Sequence, residues 1–370
     1  MAMVEERLAR VRTLMEERRY DAMVIRNVAD LRWLTGCARV FDDEVAHTAY
    51  VTADACWLHT DSRYFGAITD GLSDPAAWSV DMDQMAHAAW VAERVAETRP
   101  LTLAIEDTLT LAFFESLEHE LSSRSRSVLM PRLHADVAAL RVIKDEEELA
   151  LLRRAQEITD AAFDHIAGVM NEGMSELELR AELEGYMLGH GAEALSFDTI
   201  MAAGENGANP HARPSGRKVA RGDMVVMDYG ACYHDYHADM TRTVCLGEAG
   251  EEERRVYDIV RRAHEACAKA ARPDILGKDL HNLAARVIEE AGFGGCFNHG
   301  LGHGVGIEIH ELPSVGRLGE KGIPVGAVFT IEPGIYLRGR FGVRLEDTGV
   351  MGGGGFEPFA TSTHDLVCVG

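Results

Sequence analysis

Four acidic residues of this chain fall into two matched pairs. Asp228 lies in Met-Asp-Tyr-Gly and Asp239 in Ala-Asp-Met-Thr-Arg-Thr, while Glu332 lies in Thr-Ile-Glu-Pro-Gly-Ile-Tyr and Glu346 in Val-Arg-Leu-Glu-Asp-Thr. Between the pairs runs a glycine-rich loop, His-Gly-Leu-Gly-His-Gly-Val-Gly-Ile-Glu-Ile-His-Glu, with His303 inside it. Carboxylates on apolar strands are costly to bury unless they are paired or ligate a cation. Four of them with one imidazole predict a metal centre. Hard oxygen donors with a single imidazole suit Mn²⁺, Co²⁺, Fe²⁺ or Zn²⁺. Five protein ligands are too many for one catalytic ion that must keep open positions. With bridging carboxylates they fit two ions roughly 3.5–4 Å apart. A hydroxide held between such ions is a strong nucleophile at neutral pH, and the ions also polarise a carbonyl, so amide hydrolysis is the reaction expected.

These residues need two hairpins to position them. Met224, Val225, Val226 and Met227 lead into Asp228, and Val328, Phe329, Thr330 and Ile331 lead into Glu332. Each return strand carries the second carboxylate and, two residues on, a threonine: Thr241 after Asp239 and Thr348 after Glu346. Strand side chains alternate faces, so each threonine should share a face with its carboxylate and hydrogen-bond beside it.

The elements before the hairpins also come twice. A helix over about 145–171, started by Asp145 with Glu148 in a capping box, is followed by a turn at Gly173 and a helix capped by Ser175 with Glu178. A helix over about 250–271 is followed by a turn at Gly277 and a helix capped by Asp279 that stops near Gly292. Packing the copies about a pseudo-twofold axis would bring all four carboxylates to one point. Residues 1–140 read instead as an α/β accessory domain. Its expected elements are a helix over Glu5–Arg19, strands at Ala22–Ile25, Ala49–Val51, Ala55–His59 and Leu101–Ile105, and a helix over Leu111–Leu121. All four tryptophans (Trp33, Trp57, Trp78, Trp90) lie in this half, without clustered metal-type ligands.

A length of 370 residues favours two domains over one core. The net charge of −23, with no basic run, argues against nucleic acid as a partner. Seven scattered cysteines with no Cys-x-x-Cys suit reduced thiols. The N-terminus becomes charged at once, and no apolar run is long enough to span a membrane, so a cytoplasmic protein is expected.

The five ligand motifs closely resemble those of the metallopeptidase family that contains aminopeptidase P, prolidase and methionine aminopeptidase. Flanking segments resemble the proline-specific branch: Ser196-Phe-Asp-Thr-Ile200, Asn209-Pro-His211-Ala-Arg-Pro214, Asn298-His299-Gly300 and Glu308-Ile309-His310-Glu311. The resemblance implies an α+β chain, with a pita-bread catalytic domain over 141–370 preceded by a smaller creatinase-type α/β domain over 1–140. It implies a dinuclear Xaa-Pro peptidase with Asp228, Asp239, His303, Glu332 and Glu346 on two divalent ions, manganese first among Mn, Co, Zn and Fe. Asp239 and Glu346 would bridge, and Glu332 would also shuttle the proton. His310 would stabilise the tetrahedral intermediate and His211 would position substrate. His299, Tyr336 and Arg344 would line the proline pocket or brace the metals. Peptides with proline in the second position are the implied substrates, and a homodimer the implied assembly.

One segment departs from the pattern. Many prolidases carry a basic residue shortly after His-Glu-x-Pro, where it can pair with a dipeptide's carboxylate. Here Ser314 follows Pro313, with Arg317 as a substitute. That favours longer X-Pro peptides, as for aminopeptidase P, over a strict dipeptidase. A methionine aminopeptidase fits the large N-terminal domain poorly. A creatinase-like amidine or amide hydrolase would depart from the retained ligands. A non-catalytic peptide-binding member of the fold would have no reason to keep the ligand set. His234 and His237 read as solvated turn residues, Gly352–Gly355 as a turn, and Glu311 and Asp347 as structural.

Overall fold

The computed structural model describes residues 2–42, 44 and 46–370. They form two compact units, Met1–Arg141 and Val142–Gly370. No helix among the described residues is long and apolar enough to cross a membrane.

In the first unit a five-stranded mixed sheet runs in the order Trp78–Asp81, Cys56–His59, Thr48–Thr52, Ala22–Ile25, Leu103–Ile105. Its two neighbouring strands Ala22–Ile25 and Leu103–Ile105 are apolar along their whole length and lie in the core. Ala22 through Ile25 are all buried, as are Leu103, Ala104 and Ile105. Helix His87–Thr98 contributes Trp90, Val91 and Val95 to this core, and helix Leu111–Ser123 contributes Phe113, Leu117 and Leu121.

The second unit states one arrangement twice. In the first copy, helices Glu146–Val169 and Glu176–Gly189 pack on the sheet formed by Ile200–Ala203, Met224–Tyr229 and Met240–Leu246, with the short Cys368–Val369 strand at its edge. Both helices begin with the capping box their sequences announce. Asp145 Oδ1 accepts from Glu148 N–H at 2.9 Å, and Ser175 Oγ accepts from Glu178 N–H at 3.2 Å. In the second copy, helices Glu251–Ala270 and Gly277–Ile288 pack on a sheet ordered Glu311–Val315, Gly302–Gly304, Val328–Ile331, Asp347–Gly352, Gly355–Pro358. In both copies helices pack on a sheet that is antiparallel apart from the parallel edge strand Cys368–Val369, the α+β arrangement.

Two local expectations are corrected. Gly277 is the first residue of its helix rather than a turn, and Leu276, not Asp279, caps it. A Cβ on Gly277 would lie 2.1 Å from the Ser314 carbonyl oxygen, so the glycine is there to admit a neighbouring strand. Gly173, by contrast, has φ +86° and does turn the chain between its helices.

Candidate metallopeptidase site

Asp228 lies in strand Met224–Tyr229, and Asp239 immediately precedes the antiparallel strand Met240–Leu246, which pairs Thr241 with Asp228. Glu332 immediately follows Val328–Ile331, and Glu346 immediately precedes its antiparallel partner Asp347–Gly352. His303 comes from the short strand Gly302–Gly304. The flanking glycines let that strand in: a Cβ on Gly302 would lie 2.1 Å from Thr330 O, and one on Gly304 would lie 2.1 Å from Leu312 O.

All five side chains line one cavity of about 700 Å³. His303 Nε2 stands 3.5 Å from Asp239 Oδ2 and 3.6 Å from Glu332 Oε1. Its Nδ1–H donates to Gly304 O at 3.0 Å, a tautomer that leaves the Nε2 lone pair facing the carboxylates.

The threonines do not serve the carboxylates of their own hairpins. Thr241 Oγ1 donates to Glu346 Oε2 at 2.7 Å, and Thr348 Oγ1 donates to the backbone oxygen of Asp239 at 2.8 Å. Glu346 N–H donates to Thr241 O at 3.1 Å, so the exchange is built into backbone pairing between the copies. Alternation gives the face of each threonine, but its hydrogen-bond partner comes from the other copy rather than from its own hairpin.

Behind the donors runs a chain of braces. Arg344 pairs with Asp228 Oδ2, donates to Thr241 Oγ1 at 3.0 Å and donates to the Tyr336 hydroxyl at 2.8 Å. That hydroxyl donates to His299 Nε2 at 2.9 Å, and His299 Nδ1–H donates to Gly300 O at 2.7 Å. His299 and Arg344 line the cavity, whereas Tyr336 is buried between them and holds both. His310 and His211 line the cavity with exposed side chains, and the His310 ring meets His303 edge-on at 4.3 Å. Neither Ser314 nor Arg317 lines it; Arg317 Nε donates to His281 Nε2 at 3.3 Å. Arg180 and Arg213 line it instead. Arg213 belongs to the Asn209–Pro214 segment, but nothing in the sequence singles out Arg180, which reaches the cavity from helix Glu176–Gly189.

Residues 150–352 match the model for metallopeptidase family M24, and residues 7–166 match that for the creatinase/prolidase N-terminal domain. The chain belongs to metallopeptidase family M24. It is accordingly a hydrolase of peptide bonds, with a pita-bread catalytic domain. This M24 chain is 31% identical over 367 residues to the Xaa-Pro dipeptidase of Pyrococcus horikoshii, covering 99% of this chain and 100% of that one. Among solved structures, the Xaa-Pro dipeptidase from Bacillus anthracis superposes with a TM-score of 0.92 at 30% identity, over 99% of this chain and 100% of that chain. The X-Pro aminopeptidase from Thermotoga maritima gives 0.88 at 32%, over 98% and 99%.

The electrostatics of the M24 site call for a cation. Burial, then repulsion from Glu346, Asp228 and Glu332, holds Asp239 well above the ordinary carboxylate range. Burial followed by the neighbouring carboxylates raises Glu332 likewise and brings Glu346 up to about 8. Burial also pushes His303 down to about 4, leaving a neutral imidazole fit to ligate. Asp228 Oδ1 is buried without a hydrogen-bond partner. Donor atoms of Asp239, His303 and Glu346 lie within 4.8 Å of one another. Repelling carboxylates, a bare buried oxygen and an imidazole lone pair aimed among them fit divalent metal, as family membership implies.

Proposed function

We propose that this chain is a dinuclear-metal Xaa-Pro peptidase that releases the N-terminal residue from peptides with proline in second position, in the manner of aminopeptidase P. The observation that carries the reading is the convergence of Asp228, Asp239, His303, Glu332 and Glu346 in one cavity that also exposes His211 and His310. These five residues would hold two ions. Bound there, the ions supply Lewis acidity, which acidifies water and polarises the scissile carbonyl. Glu332, partly exposed in the cavity, takes the proton of the attacking water at its carboxylate and returns it to the leaving proline nitrogen. His310 donates to the carbonyl oxygen as charge develops there, and His211 orients the substrate. Tyr336 and Arg344 keep His299 and Asp228 in place. A bond to proline carries no N–H, so recognition rests on ring shape and on imidazole donors to the carbonyl.

Manganese is the metal proposed, on a donor set of four carboxylates and one imidazole. The seven free cysteines suit a reducing cytoplasm. The homodimer rests on the resemblance, as does the assignment of catalysis to 141–370 and of an accessory role to 1–140. The charge of −23 disfavours nucleic acid.

A strict dipeptidase is the second reading. The relatives called Xaa-Pro dipeptidase favour it, and so do Arg180 and Arg213, cations that line the cavity where Ser314 offers none. Hydrolysis of Ala-Pro and Ala-Pro-Ala, measured after chelation and again after adding Mn²⁺, separates the readings. Metal-restored cleavage of both, with the tripeptide preferred, is expected. Restored cleavage of Ala-Pro alone would establish the dipeptidase. Inactivity on both with metal bound would overturn the Xaa-Pro assignment.

A further inference from the structure

Outside the five-donor centre, a second group of metal-type donors converges in the catalytic unit. His264 of helix Glu251–Ala270, Asp347 at the start of strand Asp347–Gly352 and His364 of the C-terminal segment place donor atoms within 4.8 Å of one another. His364 Nε2 lies 2.7 Å from Asp347 Oδ2, and His264 Nε2 lies 3.4 Å from the same oxygen. The two rings meet edge-on at 4.8 Å. Asp347 Oδ1 is already engaged, accepting from Arg242 at 2.8 Å, which leaves Oδ2 as the oxygen shared by both histidines.

An ordinary structural role explains part of this arrangement. Asp347 pairs with Arg242 and accepts from His364, which pins the C-terminal segment. It does not explain His264. That imidazole is 2% exposed in its side chain, yet neither ring nitrogen makes a hydrogen bond. A buried imidazole presents a lone pair, an N–H, or two N–H groups, and leaving them bare is unfavourable. Its Nε2 lies 3.4 Å from a carboxylate oxygen that is itself shared. A cation between them would satisfy the lone pair and the oxygen together.

The His264–Asp347 distance suits a small divalent ion. Zinc bonds of roughly 2.0–2.2 Å to nitrogen and oxygen set tetrahedral donors about 3.3–3.5 Å apart. The 3.4 Å separation of His264 and Asp347 already matches. The 2.7 Å pair must open slightly, and His364, 32% exposed on a terminal segment, has room to do so. Two imidazoles and one carboxylate are a zinc-type set with a fourth position for water. The Arg242 guanidinium on the second carboxylate oxygen is an outer hydrogen bond of the kind that orients a ligating aspartate.

We propose that His264, Asp347 and His364 form a third divalent-cation site of zinc type, distinct from the five-donor centre, which ties helix, strand and C-terminal segment together. Because Asp347 follows Glu346 directly, an ion there would also fix the start of the strand that positions a catalytic carboxylate.

The test counts Zn²⁺ per chain at one fixed free Zn²⁺ concentration. His364→Ala, at a partly exposed position, should bind one ion fewer than the parent chain. The same substitution should abolish the one ion expected to remain in a chain whose main centre is disabled by Asp228→Asn with Asp239→Asn. Equal counts with and without His364→Ala, or no residual Zn²⁺ in the disabled chain, would overturn the site. His264→Asn should match His364→Ala if it folds.

Discussion

Thr241 is a residue whose importance lies entirely in what it touches. Its hydroxyl donates to Glu346 and accepts from Arg344, which in turn holds Asp228, so one oxygen couples carboxylates from both hairpins. Outer hydrogen bonds of this kind orient ligands, and their loss commonly costs about 10–100-fold in metal affinity or activity. Thr241→Val should therefore weaken metal binding by about that factor in an equilibrium titration, with turnover at saturating metal much less affected. Glu332→Gln should behave in the opposite way. It keeps an oxygen donor, so at least one ion should remain by metal analysis. Loss of proton transfer should lower kcat by about 10²–10⁴. Near-normal turnover in Glu332→Gln would remove the shuttle role, and unchanged affinity in Thr241→Val would make that threonine incidental.

At the scale of elements, the second catalytic copy depends on one close approach. Helix Gly277–Ile288 starts against the strand Glu311–Val315, where a Cβ on Gly277 would meet Ser314 O at 2.1 Å and Val315 Cα at 3.0 Å. That strand pairs Ser314 with His303, so helix start, strand and proposed ligand form one packed sequence of elements. Backbone cannot yield as a flexible side chain can. Gly277→Ala should cost about 1–3 kcal/mol, the usual penalty for forcing extra atoms into packed structure. Thermal or urea unfolding should show that loss. Gly173→Ala is strained for another reason, its φ of +86°, and a Cβ there meets open space. An unchanged midpoint for Gly277→Ala would mean that the helix start shifts freely.

At the scale of the whole molecule, the two units can be followed separately, because all four tryptophans belong to the first. Within that unit His47 is 1% exposed, lies edge-on to Phe41 and Tyr64, and shares a hydrogen bond with Thr60. Burial pushes its imidazolium down to about 4 from 6.5. The unfolded chain therefore binds this proton more tightly than the folded unit does. The associated stability is complete above about 6.5 and is lost as pH falls toward about 4, on the order of 3 kcal/mol. Tryptophan fluorescence during urea unfolding of the full chain should show this loss, and His47→Gln should lessen it, the remainder belonging in part to His87, which burial also pushes down to about 4. An identical pH slope in the variant would relieve His47 of that role. The residues proposed as metal ligands could be picked out in the sequence because each sits in its own motif in or beside a strand, where local pattern fixes both element and facing. The capping boxes at Asp145 and Ser175 were legible for the same reason: a cap is a contact over three residues. What spacing could not reveal were contacts between segments from 36 to 105 residues apart. Thr241 serves Glu346 rather than Asp239, Gly277 admits a strand rather than making a turn, Arg317 turns to His281, and His264 meets Asp347 and His364. Alternation and helical period give the direction of a side chain within its own element, and only the packing of one element on another decides what stands in that direction.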